Sequence, residues 1–443
     1  MDIEPRSRAG TSEVPFCGGT YETSSTRRYE VSAGTVLLIA LLPLRGGSHS
    51  LPCGSTWRRQ RLEVIARRAA PVITCVAVFY AIFVPLRLVQ HDALWFVHTG
   101  RAFGTAAHTS PYLSGLRRDA PVGYDGEFYF AVAADPTHAK DYLPGRAGIV
   151  YSRVGYPALA YVLSGGSRTL LPAVMLAINL AAVFVATGAI ALWLIRRGLS
   201  PWPAALYGLF PGVIFSAFFD LTEPLAYALV AVAVLVLETR PWVAALLFAG
   251  AVLTRETTVP FALAAAVAVG RHAWRRGVVF AAATCAPLLL WRILMQTYTH
   301  EATQETGHGA DWLVPFRGFW PGYPLDSEHR LIFFTVVAPG VVAAIGGILL
   351  LRQGRARLPA ALLLVNVLLY LVFLPRGPYI DYPAASRSVI GILVAALYCL
   401  PWWWRPQWSA RLVLAGEAVG LSLPWYLLVA WKYSLATFNA ITS

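Results

Sequence analysis

The chain has 443 residues, of which 57% are hydrophobic and 13% are charged, and its formal net charge is +13. Soluble domains carry about 25% charged residues, so this chain has too few polar side chains to cover a globule of its length, and a soluble enzyme is excluded. The positive charge does not indicate a nucleic-acid partner, because the basic residues are spread through breaks between apolar runs. The composition therefore predicts an integral membrane protein whose main partner is the lipid bilayer.

The first 68 residues differ in composition from the rest of the chain. They are rich in Ser, Thr, Gly and Arg, and their one apolar run, Val31 to Leu44, has 14 residues. This run is short for a membrane span and lies far from the N-terminus for a secretory signal. We interpret residues 1–68 as a poorly ordered cytoplasmic tail and residues 69–435 as the membrane domain.

Apolar runs separated by short arginine-bearing breaks predict about 11 transmembrane helices. The runs are 70–89, 169–195, 202–219, 222–237, 241–253, 258–270, 277–297, 331–351, 358–374, 389–404 and 411–431. Alternating sides along this series places every short basic break on one face, which the positive-inside rule assigns to the cytoplasm, together with the N-terminus. The runs 241–253 and 258–270 are short for spans, so we expect broken or tilted helices there.

Three long segments, 91–168, 296–330 and 375–388, fall on the opposite, extracytoplasmic face. Loops longer than about 12 to 15 residues are usually functional or disordered, and the aromatic and proline content of these segments favours folded structure. The expected fold class is an all-α multi-pass protein of the cell membrane. Its large first outer loop should contain short helices, and its active face should lie outside.

The first outer loop contains the most informative stretch, Gly123 to Pro136. Asp125 precedes a glycine and opens an aromatic and alanine-rich helical run. Two interpretations stay open: its side chain caps that helix, or its carboxylate accepts a proton from a substrate hydroxyl at the membrane surface. Glu127 lies two residues on, which places it on a different helix face.

Further ionisable residues lie at span ends on the same face. Asp92 follows the first span, Glu223 lies at the start of the run 222–237 and close to Asp220, and Arg255 follows the run 241–253. Such charges are costly near lipid, so they are functional candidates by default. The alternative is structural ion pairs that tie spans together, such as Glu223 with Arg255.

The last outer segment carries two arginines, Arg376 and Arg387, with Asp381 between them. Arginine forks suit a phosphate group, although solvated loop charges are the commoner case.

Metal and nucleotide signatures are missing from the sequence. The five cysteines have no CxxC spacing, and the nine histidines have no HxH or HxxxH spacing. The cytoplasmic connections are too short for a Walker or Rossmann unit. We therefore expect no resident metal site and no required cofactor.

A first span, a large outer loop with an acidic motif and many further spans resemble the GT-C superfamily of polyprenyl-phosphate-sugar-dependent glycosyltransferases. The chain is most similar to the glycosylphosphatidylinositol mannosyltransferase-like branch and its bacterial relatives. The residues that carry the resemblance are Tyr124 to Phe130, Arg153 to Pro157, Phe210 to Pro224 and Leu253 to Arg255. The resemblance covers about residues 70–270, and the extra acidic stretch His91 to Phe96 departs from it.

The resemblance implies inverting transfer of a sugar, for instance mannose, from a polyprenyl-phosphate donor to an envelope glycan or lipid acceptor outside the cell. Asp125, or Asp92, would be the general base. Arg255, Arg376 or Arg387 would stabilise the departing phosphate. Glu127 and Glu223 would contact the donor phosphate site or support it. A divalent metal is optional in this superfamily.

Two other classes of function fit the same spans. In a lipid-linked glycan flippase or another multi-span transporter, the intramembrane charges would line a path. In a non-catalytic scaffold for envelope assembly, the acidic motif would be dispensable. Transfer of a sugar with formation of a new glycosidic bond separates the glycosyltransferase from both.

Overall fold

The computed structural model describes residues 54–100, 123–143, 145–271, 273–303, 314–320, 327–354 and 356–403. The regular structure in these ranges is helical, and no β-strand occurs among them. The predicted span 411–431, most of the predicted tail 1–68 and parts of the outer segments 91–168 and 296–330 lie outside the described residues.

Sixteen α-helices, numbered here in chain order, occur in the described part of the chain. The first eight are α1 Gly54–Gln90, α2 Gly126–Ala134, α3 Ala147–Ser152, α4 Gly155–Ser164, α5 Leu171–Arg196, α6 Ala205–Gly208, α7 Pro211–Phe218 and α8 Glu223–Val236. The others are α9 Pro241–Thr254, α10 Val259–Gly270, α11 Trp274–Thr299, α12 Ser327–Ile332, α13 Ala338–Arg352, α14 Arg357–Val367, α15 Tyr382–Ser388 and α16 Ile390–Trp403. π-Helical turns at Phe333–Val337 and Leu368–Val372 follow α12 and α14.

Four helical segments are long and apolar enough to cross a membrane, and a bent pair makes a fifth if it is one span. The segments are Glu63–Gln90, Leu171–Arg196, Trp274–Thr299 and Glu328–Arg352, and the bent pair is Tyr382–Ser388 with Ile390–Trp403. The all-α class and the presence of membrane-length apolar helices are therefore confirmed. The count of about 11 spans and the assignment of sides stay predictions.

Prolines divide one of the predicted runs. The run 202–219 does not form one helix: it consists of a 3₁₀ turn, the short α6 and then α7, which begins at Pro211. A proline lacks the N–H group that a helix interior needs, so it is favoured in the first turn, and Pro211 begins a new helix here. The two short runs 241–253 and 258–270 are α9 and α10, and the segment Arg255–Thr258 separates them.

The long helices differ in how much of their apolar surface is buried by protein. In the most apolar window of α5, 61% of the residues are buried, because this helix packs between α1 and α8. The corresponding share is 22% in α1 and in α11. Large exposed apolar side chains on α11, such as Leu290 and Ile293, suit contact with lipid tails. Helix α5 thus lies in the protein core, and α1 and α11 lie at its periphery.

The predicted short helices of the first outer loop are present as α2, α3 and α4. They form a second, smaller apolar core with one end of α5 and of α11. Two side chains of α11 hold this layer: the Trp291 indole donates to the Tyr151 carbonyl at 2.7 Å, and the Tyr298 hydroxyl donates to the Thr137 carbonyl. This layer carries Asp125 over the ends of the long helices.

Candidate active site

Asp125 is the residue that precedes α2, but its side chain makes no capping hydrogen bond to that helix. The capping interpretation is therefore wrong. The carboxylate instead accepts a hydrogen bond from Arg387 of α15, with 2.7 Å between Oδ2 and Nη2. Because the partners are 262 positions apart in the chain, this contact joins the first outer loop to the last.

The Asp125–Arg387 pair belongs to a row of alternating charges. Arg387 Nε lies 3.9 Å from Glu223 Oε1, and the same oxygen lies 3.1 Å from Arg255 Nη2. Arg255 also donates to the Thr222 hydroxyl at 3.4 Å. Four of the residues predicted from the sequence are thus brought together, and the sequence-based pairing of Glu223 with Arg255 agrees with the structure.

Two opposing effects act on the Asp125 carboxyl. Burial raises the pKa of this group, but the charge of Arg387 and its hydrogen bond lower the pKa further than burial raises it, with smaller help from Arg153 and Arg255. The net pKa is below the usual value for an aspartate. Asp125 is therefore a carboxylate at neutral pH, and 27% of its side chain is exposed.

The row of charges is largely buried, and some of its polar atoms have no hydrogen-bond partner. Glu223 and Arg255 are buried, and 14% of the Arg387 side chain is exposed. Among the described residues, Arg387 Nη1 and Arg255 Nε have no hydrogen-bond partner, and neither do the two carboxylate oxygens of Glu223. Buried donors without a partner are costly, so each is suited to an oxygen atom of a bound ligand.

Tyr124 and Asp381 complete the wall of the site. The guanidinium carbon of Arg387 lies 5.1 Å from the centre of the Tyr124 ring, a cation–π geometry. The Tyr124 hydroxyl donates to Asp381 Oδ1 at 3.5 Å, and Asp381 caps α15 by accepting from the Ala384 N–H at 2.6 Å. Burial raises the pKa of Asp381, in contrast to Asp125. The cap holds the start of the helix that carries Arg387.

A second ion-pair cluster lies beside the first, and the sequence analysis missed its geometry. Arg153 donates to both carboxylate oxygens of Glu256, at 3.1 and 2.7 Å, and to the Tyr129 hydroxyl at 3.1 Å. Arg292 of α11 lies 4.0 Å from Glu256 Oε2. Arg292 is the sole charged residue between 277 and 299, and Arg153 is the sole one between 147 and 166. A lone charge in an apolar run was the signal that could have found them.

Three predicted site residues lie elsewhere. Asp92 is exposed and caps a 3₁₀ turn by accepting from the Leu94 N–H at 3.0 Å. Glu127 accepts a hydrogen bond from the Gly100 N–H at 2.9 Å, which ties α2 to the preceding segment. Arg376 is exposed at the start of a 3₁₀ turn. The structure thus brings Asp125 rather than Asp92 into the buried row of charges.

No group of three or more His, Cys, Asp or Glu side chains that could hold a metal ion occurs in the described ranges. Asp125, Glu223 and Glu256 are each paired with an arginine. Because a guanidinium cation beside each carboxylate would repel a second cation, these side chains do not fit the optional divalent metal.

Comparisons with protein-family profiles, with curated proteins and with solved structures found no match to this chain. What the fold and site define is a class: a helical protein with membrane-length apolar helices and a buried row of paired charges under a small helical layer.

Proposed function

We propose that the protein is an inverting membrane glycosyltransferase that moves a sugar from a polyprenyl-phosphate donor to a glycan or lipid acceptor of the cell envelope. The observation that carries the proposal is the partly exposed Asp125 carboxylate, held 2.7 Å from Arg387 beside the buried Glu223 and Arg255. A proton acceptor and phosphate-binding cations are the two groups that this reaction requires.

The reaction divides between these groups. The acceptor hydroxyl gives its proton to the Asp125 carboxylate as its oxygen forms a bond to the anomeric carbon. The bond from that carbon to the donor phosphate oxygen breaks, and its electron pair leaves with the polyprenyl phosphate. Arg387 and Arg255 stabilise the negative charge on the leaving phosphate.

Asp125 has the right charge state for this role at neutral pH. Its lowered pKa keeps it ionised, so no proton has to be removed before the acceptor binds. A carboxylate with a low pKa is a weak base in the ground state. Its basicity rises when Arg387 also binds the departing phosphate, because the arginine then stabilises the carboxylate less.

The donor chain has a matching surface. The apolar side of α11, exposed at Leu290 and Ile293, borders Arg292 and the second ion-pair cluster. A polyprenyl tail would lie in the bilayer along such a surface while its phosphate reaches the arginines. We place this site on the extracytoplasmic face, with the N-terminus in the cytoplasm, on the distribution of arginines in the short breaks.

The experiment is sugar transfer by the purified protein in nanodiscs, supplied with a set of polyprenyl-phosphate hexoses and with membranes from a strain that lacks the gene as the acceptor source. Asp125→Asn should reduce the rate by about 10²- to 10⁴-fold, the usual contribution of a general base. Asp92→Asn is the matched control, because Asp92 is an exposed cap of the same outer loop, and it should keep nearly full activity. Full activity of Asp125→Asn would remove Asp125 from the reaction.

A further inference from the structure

A tight turn between α7 and α8 lies directly under Asp125. Its centre is Asp220, a fully buried residue with a φ of +48°, in the left-handed region that non-glycine residues rarely adopt. The turn is closed by the Leu221 N–H, which donates to the Ser216 carbonyl at 2.9 Å. A strained backbone conformation persists only where the surroundings hold it, so the contacts of Asp220 need an explanation.

The Asp220 side chain reaches away from the ion-pair row and into the helices behind it. Its Oδ1 accepts from the Asn179 amide of α5 at 3.4 Å and lies 3.4 Å from the Tyr156 hydroxyl of α4. That hydroxyl has one hydrogen, which it shares between Asp220 and the Met175 carbonyl, 3.1 Å away. Asn179 also donates to the Tyr156 hydroxyl at 2.9 Å. Among the described residues, Asp220 forms no ion pair, whereas Asp125, Glu223 and Glu256 each pair with an arginine. The Asp220 carboxyl is thus an anchor of the turn to two neighbouring helices.

One side of the turn supports the start of α2. The Phe219 carbonyl packs so closely on Gly126 that a Cβ atom there would lie 2.1 Å from the carbonyl oxygen. The Phe219 ring packs on the Tyr124 ring, with 4.7 Å between the centroids. The residues before and after Asp125 therefore both rest on Phe219, which immediately precedes Asp220.

The other side of the turn leads into the ion-pair row. Thr222 accepts from Arg255, and Glu223 pairs with Arg255 and faces Arg387. Residues on both sides of Asp220 thus contact the candidate site, while Asp220 itself does not.

We propose that Asp220 is a positioning residue. Its hydrogen bonds to Tyr156 and Asn179 fix the turn 219–223, and this turn determines the positions of Asp125 and Glu223. The catalytic importance of this positioning rests on the proposed function, in which Asp125 is the general base. The anchoring itself is a structural claim that does not require any sugar transfer.

The test is hydrogen–deuterium exchange of the full-length protein in nanodiscs, comparing residues 124–134 with residues 241–254 of α9. Asp220→Ala should speed exchange in 124–134 by about tenfold or more, because the start of α2 opens locally once the turn is loose. Asp220→Asn should stay within about threefold of the wild type, since an amide oxygen can accept the same bonds. The exchange of 241–254 should not change in either variant.

Two further variants keep the test decisive. Tyr156→Phe removes one of the two donors with little change in volume, so it should raise exchange in 124–134 to a smaller extent if Asp220→Ala does not fold. Thr187→Val is the matched control, and it should leave the exchange of 124–134 unchanged. Thr187 is buried on α5, and its hydroxyl donates to the carbonyl of Val183 in the same helix.

Equal acceleration of both segments by Asp220→Ala would show a general loss of stability and overturn the inference, as would unchanged exchange in 124–134. The same effect from Asp220→Asn as from Asp220→Ala would also contradict it. These readings are independent of the transfer assay. If Asp220→Ala speeds exchange in 124–134 but the wild-type protein transfers no sugar, only the proposed function is refuted. If Asp125→Asn abolishes transfer but Asp220→Ala leaves exchange in 124–134 unchanged, only the positioning role is refuted.

Discussion

The Asp125–Arg387 contact should stabilise the protein by an amount that a double-mutant cycle can measure. Both side chains are mostly buried, with 27% and 14% exposed, and the two atoms lie 2.7 Å apart. A hydrogen bond between charged groups contributes about 1.5–3 kcal/mol, and breaking a buried pair from one side costs about 3–5 kcal/mol. Arg387→Gln should cost about 3 kcal/mol, because it leaves Asp125 and the nearby Glu223 without this cation.

The cycle consists of Asp125→Asn, Arg387→Gln and the double variant, with denaturant unfolding in detergent micelles as the assay. The cost of the double variant should be about 2 kcal/mol smaller than the sum of the single costs. The control cycle uses Arg197 and Glu238, which have the same geometry at 2.8 Å but are exposed by 38% and 77%. Its coupling energy should stay below about 1 kcal/mol. A coupling energy below about 0.5 kcal/mol for Asp125 and Arg387 would refute this account of the pair.

The same pair gives the sign of a pH effect. The folded-state pKa of Asp125 is lowered, so its contribution to stability is fully present above the ordinary aspartate pKa of about 3.9 and is lost as the pH falls through the lower folded value. In Arg387→Gln, the unfolding free energy should fall less on acidification than it does in the wild type. A pH profile of the unfolding free energy between about pH 2 and 6 measures it, and identical profiles would contradict the assigned cause.

Two other substitutions test the packing of the site. Gly126→Ala should destabilise the protein by about 1–3 kcal/mol in a thermal unfolding assay, since the added Cβ would lie 2.1 Å from the Phe219 carbonyl oxygen. Gly377→Ala is the control and should be nearly neutral, because Gly377 has open space around it. Glu256→Gln should cost about 2–4 kcal/mol because it leaves the buried Arg153 without its carboxylate, and replacing both residues by Leu should recover most of that loss; a double variant as unstable as the single one would contradict this account.

The amino-acid sequence predicted the membrane class and the helical fold because these follow from composition and from the length of apolar runs. It did not predict the break of the run 202–219, although Pro203 and Pro211 were visible in it. Hydropathy averages over such a run and does not register a missing backbone donor.

The site was partly predictable. Glu223 and Arg255 lie at the ends of successive apolar runs on one predicted face, so their pairing followed from topology. The contact of Asp125 with Arg387 joins residues 262 positions apart, and no helical spacing connects them. The left-handed Asp220 was also hidden, because its conformation depends on Tyr156 and Asn179, which belong to other helices.

The most direct measurement of the central claim is the stoichiometry of transfer in proteoliposomes that contain the purified protein, a polyprenyl-phosphate hexose labelled in the sugar, and acceptor membranes. The account predicts one free polyprenyl phosphate for each new glycosidic bond, with inverted anomeric configuration, and loss of both products in Asp125→Asn. Labelled sugar that crosses the bilayer still attached to its lipid, without any new glycosidic bond, would contradict the account and identify a transporter.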